Sequence, residues 1–278
     1  MPAPDRADDA APRYDSLADG YARHWGPVIQ PAAVALLDRL ARELPDRSRV
    51  LDLGTGTGTL AFALLGRRSE AEVVGVDPSP AMLTLAADAA RASLPPPLAA
   101  RFSTVAAFAD ELPFDDESFD AAISSFVLQL VPSRTAALGE LRRVLRPGGT
   151  LAWVTWLVGG PPFRADQVVD EVLDEFGFDP PERDGRSGDL ASVTAAAAAT
   201  RRAGFRTVHA ERSALVHTWT PEAYAAFITE FDEQSTFAEL GTGERRRAVQ
   251  RLLDRLRGLS RADLTMELPI VYVTGSKR

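Results

Sequence analysis

The sequence predicts an α/β fold built on a parallel sheet, and two stretches carry that prediction. Residues 50–53 form the largely apolar run of a buried strand, which leads through a glycine turn at 54–58 into a helix beginning near Thr59. A second apolar run at 73–76 ends in Asp77, about 20 residues beyond the turn, the spacing of a strand–helix–strand unit. Such units build parallel sheets that are covered by helices.

The remaining strands are predicted from shorter apolar or alternating runs. They cover 102–105, 121–126, 150–156, 205–217 and 264–274.

The predicted helices combine apolar residues at helical spacing with recognisable ends. Pro45 stops the first long helix, Ser79 is the N-cap of the helix over 81–91, and Thr220 with Pro221 begins a late helix. The first long helix covers 28–44, and the other helices cover 133–145, 163–176, 190–203 and 244–256. Residues 147–149 are predicted to stop the helix over 133–145, and residues 179–188 to form a polar loop.

The composition excludes several classes of protein. The 278 residues are 45% hydrophobic, which suits one large α/β domain with a cover or a small insert. A net charge of −8 argues against a nucleic-acid partner, and the lack of cysteine excludes a thiolate metal site, so no metal is expected. No apolar run approaches the roughly 20 residues of a membrane helix. The first residues do not resemble a signal peptide, so a cytoplasmic protein without a membrane partner is expected.

The glycine turn and its neighbouring acids admit alternative interpretations. The spacing is Gly-x-Gly-x-Gly, whereas the dinucleotide fingerprint Gly-x-Gly-x-x-Gly/Ala requires a small residue where Thr59 stands, and a plain tight turn is a further possibility. Asp77 is placed to accept both hydroxyls of a ribose; the alternative is that it caps the helix beginning near Pro80. Asp52 lies inside the first strand, where a carboxylate costs free energy unless it is hydrogen-bonded or paired.

These motifs resemble those of the class I S-adenosylmethionine-dependent methyltransferases. The run Asp-x-Gly-x-Gly-x-Gly from Asp52, followed by an acid that closes the second strand, is typical of that family. The resemblance is strong over residues 48–155, weak over 200–215, and greatest to the subgroup that includes ubiquinone and menaquinone biosynthesis methyltransferases. Four further stretches resemble family motifs: 111–120 before the fourth strand, 121–130 in that strand and its loop, 141–151 before the fifth strand and 203–205 before the sixth.

The resemblance implies a fold and a division of the chain. The fold is a Rossmann-like, doubly wound, mostly parallel seven-stranded sheet with an antiparallel edge strand and a helical substrate cover. The expected parts are a disordered tail at 1–13, N-terminal lid helices at 14–47, a cofactor-binding core at 48–156, a substrate-side insert at 157–203, and the last strands with inserted cover helices at 204–278.

The resemblance also implies a cofactor, S-adenosylmethionine, with S-adenosylhomocysteine as the product. Asp77 is expected to bind the ribose hydroxyls, the glycines to approach the methionine and ribose, and Asp52 to brace the turn and reach the amino group through water. Tyr14 and Tyr21 share a helical face that closes over the cofactor or, alternatively, packs on the core. The full set of expected cofactor-binding residues is Tyr14, Tyr21, Asp52, Gly54, Thr55, Gly56, Gly58, Asp77, Pro78, Met82, Phe108, Ala109, Ser125 and Phe126.

The adenine contact departs from the family pattern. The family places an acid and then a small residue four positions before the leucine of the Leu-Pro-Phe motif, and Phe108 and Ala109 occupy those positions here. Phe108 can stack on or flank the adenine but cannot accept its amino hydrogens. Asp110 can take that role if the loop is shifted.

The expected reaction is methyl transfer to a small, partly hydrophobic metabolite through an O, N or C acceptor, by a monomer or homodimer. Methyl transfer from a sulfonium mainly requires alignment and exclusion of water, and a hydroxyl acceptor also needs a general base. His24, beside the lid, and His217, at a strand end, are the candidate catalytic residues, whereas His209 in mid-strand is interpreted as structural. The alternatives are a non-methylating cyclase, a cofactor-holding binding protein and a nicotinamide dehydrogenase.

Overall fold

The computed structural model describes residues 15, 17–40, 44–178 and 188–278. The predicted tail at 1–13, Tyr14 and all but the last residue of the predicted loop at 179–188 lie outside the described residues.

A seven-stranded sheet forms the centre of the molecule, in the order β3-β2-β1-β4-β5-β7-β6. Strands β1 to β5 are mutually parallel, and β7 is antiparallel to both of its neighbours, β5 and β6. The predicted fold class is confirmed, and the edge strand that pairs antiparallel is β6. The strands are β1 (Arg49–Leu53), β2 (Glu72–Asp77), β3 (Phe102–Ala106), β4 (Phe119–Ser125), β5 (Leu145–Trp156), β6 (Arg206–Thr218) and β7 (Thr265–Ser276).

Helices cover both faces of the sheet. Two five-residue π-helices, Tyr21–Trp25 (the first π-helix) and Ile228–Asp232 (the second π-helix), lie against each other. The α-helices are α1 (Gly26–Leu40), α2 (Thr59–Arg67), α3 (Pro80–Ser93), α4 (Pro96–Ala99), α5 (Arg134–Val144), α6 (Arg164–Glu175), α7 (Val193–Arg202), α8 (Pro221–Phe227), α9 (Gln234–Glu239) and α10 (Thr242–Arg257). No helix in the described ranges is long and apolar enough to span a bilayer.

Four helices begin at a hydroxyl side chain. The side chains of Ser79, Ser133, Ser192 and Thr220 each accept a hydrogen bond from the backbone amide three residues further on. Such caps satisfy a helical amide that has no intrahelical partner, and each contributes about 1 kcal/mol to stability. The predicted caps at Ser79 and Thr220 are confirmed.

The side chains of β1 point alternately to the two faces of the sheet, and each face carries part of the hydrophobic core. Val50 packs with α1 and α2 on one face, whereas Leu51 and Leu53 pack on the other face with buried residues of α5. Both faces of the central strands are buried, as is usual for parallel strands. The sheet is therefore accessible to a ligand mainly at its edges and strand ends.

Two predicted boundaries were wrong for local reasons. The helix placed at 190–203 begins at Val193, because Leu190 instead bridges to Leu157 and Ser192 takes the N-cap position. The strand placed at 150–156 begins at Leu145, so the predicted helix stop at 147–149 is the first part of β5, with Gly148 at a φ of 83°.

Candidate functional site

Two neighbouring cavities lie at the carboxyl ends of β1, β2 and β4, where open α/β sheets bind their ligands. The larger cavity is an open cleft, with about 840 Å³ of empty space that includes solvent outside its mouth. Its walls are the ends of these strands, the loop at 107–110 and the turn at 125–132, with Tyr21 on the lid side.

The smaller cavity, of about 380 Å³, lies between α1 and the glycine turn. Its polar lining includes Gln30, Asp52 and the hydroxyl residues of the turn, Thr55, Thr57 and Thr59. Tyr21, Gly54 and Ser125 line both cavities, which are therefore adjacent at these residues.

The glycine turn requires glycine at Gly54 and Gly58 for steric reasons. Their φ angles are 69° and 84°, and a Cβ atom would overlap the side chain of Val127 at the first and of Phe62 at the second. Gly54 and Gly56 line the larger cavity, whereas Gly58 lines neither cavity. The structure thus accounts for Gly58 by packing against α2 and places it outside the ligand space.

Asp77 ends β2 and is held by two backbone amides. Its carboxylate accepts hydrogen bonds from Gly56 N and Ser79 N, both at 3.0 Å, and lines the larger cavity. Burial raises the pKa of Asp77, and the two amide hydrogen bonds offset part of that rise. The alternative that Asp77 is the N-cap of α3 is not supported, because Ser79 holds that position.

Asp52 is a buried acid that is hydrogen-bonded to the glycine turn. Its Oδ2 accepts a hydrogen bond of 2.8 Å from the Thr55 hydroxyl, and the side chain faces the smaller cavity. Burial raises the pKa of Asp52 to about 7, while the hydrogen bonds from Thr55 and the Ala61 amide lower it. Near neutral pH this group can therefore lose or gain a proton.

The loop at 107–110 brings an aromatic face and a carboxylate to the same cavity. Phe108, Ala109 and Asp110 all line it, and Phe108 is 37% exposed. Within the described part of the chain, the Asp110 carboxylate makes no hydrogen bond or ion pair. Phe108 thus stands where the family has an acid, and the carboxylate at this wall of the cavity belongs to Asp110, two residues later.

The turn after β4 forms the opposite wall. Ser125 and Phe126 line the larger cavity as expected, and the ring of Phe126 stacks on Trp156 with a centroid distance of 4.1 Å. Sequence reasoning missed the apolar residues that follow, among them Val127 and Leu130. The available signal was their position directly after the carboxyl end of a parallel strand.

The N-terminal segment reaches the site at two points. Tyr21 lies close to Gly56 and makes an edge contact with Phe231 of the second π-helix, at a centroid distance of 6.1 Å. Asp15, which sequence reasoning missed, accepts hydrogen bonds from the Ser79 hydroxyl and from Ala81 N, the latter at 3.1 Å. The predicted cofactor residues Pro78 and Met82 also line the larger cavity.

The two histidines predicted to be catalytic lie outside both cavity linings. His24 Nε2 is 3.1 Å from Glu230 Oε2, so it joins the two π-helices. His217 contacts Trp219 edge-on at 4.6 Å, and burial lowers its pKa. Helix packing and strand position account for both side chains, and the prediction that they act in catalysis gains no support from their placement.

The cavities carry acidic groups without basic counterparts. Asp77 and Asp110 line the larger cavity and Asp52 the smaller, and no arginine, lysine or histidine of the described residues lines either. Such a lining favours a cationic or neutral ligand, because an anion would be desolvated beside like charges. A pyrophosphate in either cavity would lie beside these carboxylates.

Comparison with known proteins agrees with this geometry. Residues 51–153 match the family described as a methyltransferase domain. The demethylmenaquinone methyltransferase of Thermus thermophilus is 48% identical over 143 residues, which are 51% of this chain and 60% of the relative. The malonyl-[acyl-carrier protein] O-methyltransferase of Halorhodospira halophila is 35% identical over 201 residues, 66% of this chain and 63% of the relative. The chain thus spans about three-fifths of the length of these two relatives.

Solved structures share the whole architecture at low sequence identity. The [4+2]-cyclase SpnF has a TM-score of 0.60 at 21% identity and covers 100% of this chain and 98% of its own. Phosphoethanolamine N-methyltransferase 2 of Haemonchus contortus has a TM-score of 0.58 at 19% identity, over 95% of this chain and 57% of its own. At this identity the likeness establishes the fold. The match over residues 51–153 to a methyltransferase domain agrees with the family that the motifs of this stretch predicted.

Proposed function

We propose that this protein binds S-adenosylmethionine and transfers its methyl group to a small, partly hydrophobic metabolite. The observation that carries the proposal is the Asp77 carboxylate, which is fixed beside the glycine turn at the wall of a cavity that no basic side chain of the described residues lines. Such a site suits a nucleoside that carries a positive charge elsewhere in the molecule.

The residues present fit this cofactor from end to end. Asp77 would hold the ribose hydroxyls, and the loop with Phe108 and Asp110 would flank the adenine. The smaller cavity, with Asp52 and its threonine hydroxyls, is polar enough for the amino-acid end. Gly54, which lines both cavities, has no side chain, so its backbone would be open to the ligand.

When bound, S-adenosylmethionine supplies a methyl group already activated by the sulfonium. The protein then contributes alignment and exclusion of water. Tyr21 and Phe126 are placed for both tasks, because they line the larger cavity from opposite elements and are themselves held by aromatic neighbours. No histidine lines the cavities in the described ranges, which favours an acceptor that needs no histidine base.

A partly hydrophobic acceptor is supported by the apolar residues that line the larger cavity, among them Phe126 and Leu130. Phe126 is in turn held in place by a row of aromatic rings in the core. Trp156 stacks on Phe126, Trp25 lies 6.1 Å from Trp156, and Phe227 stacks on Trp25 at 5.3 Å. The relatives act on different acceptors: the printed name of one gives demethylmenaquinone and that of the other malonyl-[acyl-carrier protein]. The acceptor atom is therefore left open in this proposal.

Calorimetric titration with S-adenosylmethionine and S-adenosylhomocysteine tests the cofactor. Wild-type protein is expected to bind both, and Asp77→Ala should weaken binding at least tenfold, or about 1.4 kcal/mol, because the ribose loses its acceptor. Asp88→Ala is the matched control, since Asp88 is an exposed acid of α3 that pairs with Arg91. Failure of the wild type to bind either compound would refute the proposal, and an unchanged affinity in Asp77→Ala would refute the ribose assignment.

The second candidate is a non-methylating cyclase or a cofactor-holding protein. It is favoured by the absence of an acid at position 108 and by the absence of histidine from the cavity linings in the described residues. Product mass separates the candidates once an acceptor is found by screening. Methyl transfer adds about 14 Da to the acceptor and consumes the cofactor, whereas cyclisation leaves both masses unchanged.

A further inference from the structure

The turn after β4 contains a residue in an unfavourable backbone conformation. Phe126 has a φ of 57°, in the left-handed region that favours glycine, although its side chain is large and only 6% exposed. A conformation of this kind persists only where the surrounding structure holds it, and it is often found at functional sites. Neighbouring groups must therefore hold Phe126 in this conformation.

A side-chain amide supplies that hold. Gln129 Nε2 donates a hydrogen bond of 2.7 Å to the Phe126 carbonyl, and Gln129 Oε1 accepts one of 2.7 Å from the Thr155 hydroxyl. The orientation of the amide follows from chemistry, because a backbone carbonyl can only accept and so must face the NH₂ group. Thr155 lies on β5 and is fully buried, so the chain of hydrogen bonds begins in the rigid sheet.

The conformation of this turn shapes the larger cavity on two sides. Phe126 lines the cavity and stacks on Trp156, and the next residue, Val127, fills the space that a side chain at Gly54 would need. A rotation of the peptide between Phe126 and Val127 would therefore move the aromatic wall and its contact with the glycine turn together. Gln129 itself lines neither cavity and so would not touch the ligand.

We propose that Gln129 is a positioning residue, which holds the Phe126 carbonyl and thereby keeps the cofactor cavity in its binding shape. This inference deepens the proposed function, and it rests on that function only for the identity of the ligand. The role is distinct from catalysis, because Gln129 acts through Phe126 and Val127.

Hydrogen exchange of the unliganded protein tests the hold directly. Gln129→Ala and Gln129→Glu should both accelerate exchange in a peptide covering 126–132 by about fivefold or more, because neither side chain can donate to the Phe126 carbonyl. Glutamate is nearly the same size as glutamine and still accepts from Thr155, so it isolates the lost donor. Gln250→Ala removes an exposed glutamine of α10 and should change nothing in that peptide. Unchanged protection of 126–132 in both Gln129 variants would overturn the inference.

A double-mutant cycle measures whether the hydrogen bonds of Gln129 affect the affinity for the ligand. Gln129→Ala and Thr155→Val should each raise the Kd for S-adenosylmethionine by about fivefold. The double variant should have the same Kd as the single variant with the higher Kd, because both substitutions remove the same hold of the Gln129 amide. Thr155→Ser, which keeps the hydroxyl, should restore wild-type affinity. Independent, multiplying effects would overturn the inference, and so would a lower Tm with an unchanged Kd. If the wild type does not bind the cofactor, the proposed function fails, while hydrogen exchange still decides the role of Gln129.

Discussion

Asp110 is an exposed acid at the wall of the larger cavity, directly after Phe108 and Ala109. It faces the same space as Phe108 and Asp77 and has no hydrogen-bond partner among the described residues. A carboxylate accepts hydrogen bonds from an amino group but not from the carbonyl oxygen of a 6-oxopurine. Asp110 is therefore the residue best placed to distinguish the two kinds of purine.

Asp110→Ala should reduce the preference for S-adenosylhomocysteine over S-inosylhomocysteine. We expect the wild type to prefer the adenosyl compound by about tenfold and the variant to bind both with similar affinity, since one hydrogen bond to a charged group is lost. Competition calorimetry with both compounds measures the ratio. Glu111→Ala, which removes the adjacent acid that lines neither cavity, is the control; a preference that survives in Asp110→Ala would show that the base is selected elsewhere.

Asp52 predicts a pH dependence of stability. Its pKa is about 7 in the folded protein, against a reference value of 3.8, so the folded state keeps a proton that the unfolded state loses. The free energy of unfolding should therefore fall as pH rises from about 4 to about 7 and then become level. The nearby Asp77 carboxylate contributes to the rise of this pKa.

Asp52→Asn should remove most of that pH dependence, because asparagine is neutral throughout and can still accept from the Thr55 hydroxyl. At pH 8 we expect the variant to be more stable than the wild type by about 4 kcal/mol, because the folded and unfolded pKa values differ by about three units, and at pH 4 the two should be alike. Urea denaturation at several pH values measures this. Parallel curves for the two proteins would mean that Asp52 is ionised in the fold at all these pH values.

At the scale of elements, the first π-helix contacts the end of α8 and the second π-helix. Trp25 stacks on Phe227 at 5.3 Å, while Arg23 and His24 meet the half-exposed Glu230. Phe227 is buried and Trp25 is half-buried. Truncating a large packed aromatic residue costs up to several kcal/mol, whereas exposed ion pairs are worth about 0–1 kcal/mol. Aromatic packing should therefore dominate this contact.

Trp25→Ala should lower the free energy of unfolding by about 3 kcal/mol and expose the N-terminal segment to limited proteolysis. Glu230→Gln should cost less than about 1 kcal/mol and leave the digestion pattern unchanged. Chemical denaturation and timed trypsin digestion of both variants provide the comparison. Equal losses in the two variants would show that the charges contribute as much as the rings.

The sequence was a better guide to elements inside the sheet than to elements at its margins. The central strands β1 and β2 are apolar on both faces, and that pattern depends only on their own residues. The start of α7 depends on a bridge between Leu157 and Leu190, which are far apart in sequence. The contact of Asp15 with Ser79 is missed for the same reason, since 64 residues separate them.

At the scale of the whole molecule, the sheet topology assembles the site from distant stretches. Parallel strands β1, β2 and β4 end at one edge, so acids and glycines that follow them meet there. The motif residues could be predicted because they occupy fixed places at these ends. The histidines could not be placed from sequence, because the packing of the cover, which no local pattern specifies, determines where His24 and His217 lie.

Ligand binding should stabilise the whole fold by mass action. S-adenosylmethionine at about 100 times its Kd should raise the Tm by about 5 °C or more, since binding to the folded state alone contributes about 2.7 kcal/mol. NAD at the same concentration should leave the Tm unchanged, because its pyrophosphate would face carboxylates. Differential scanning calorimetry compares the two, and stabilisation by NAD alone would favour the dehydrogenase alternative.

The adjacency of the two cavities at Tyr21, Gly54 and Ser125 has a consequence for fragments of the cofactor. A ligand that occupies both cavities behaves as two small molecules tied together, one in each cavity. Once one end is bound, the other is present at an effective concentration in the millimolar range or above, without any new contact. Adenosine and homocysteine alone should therefore bind weakly even when mixed. The protein would thus recognise the intact cofactor by its connectivity, against a cellular background of its own breakdown products.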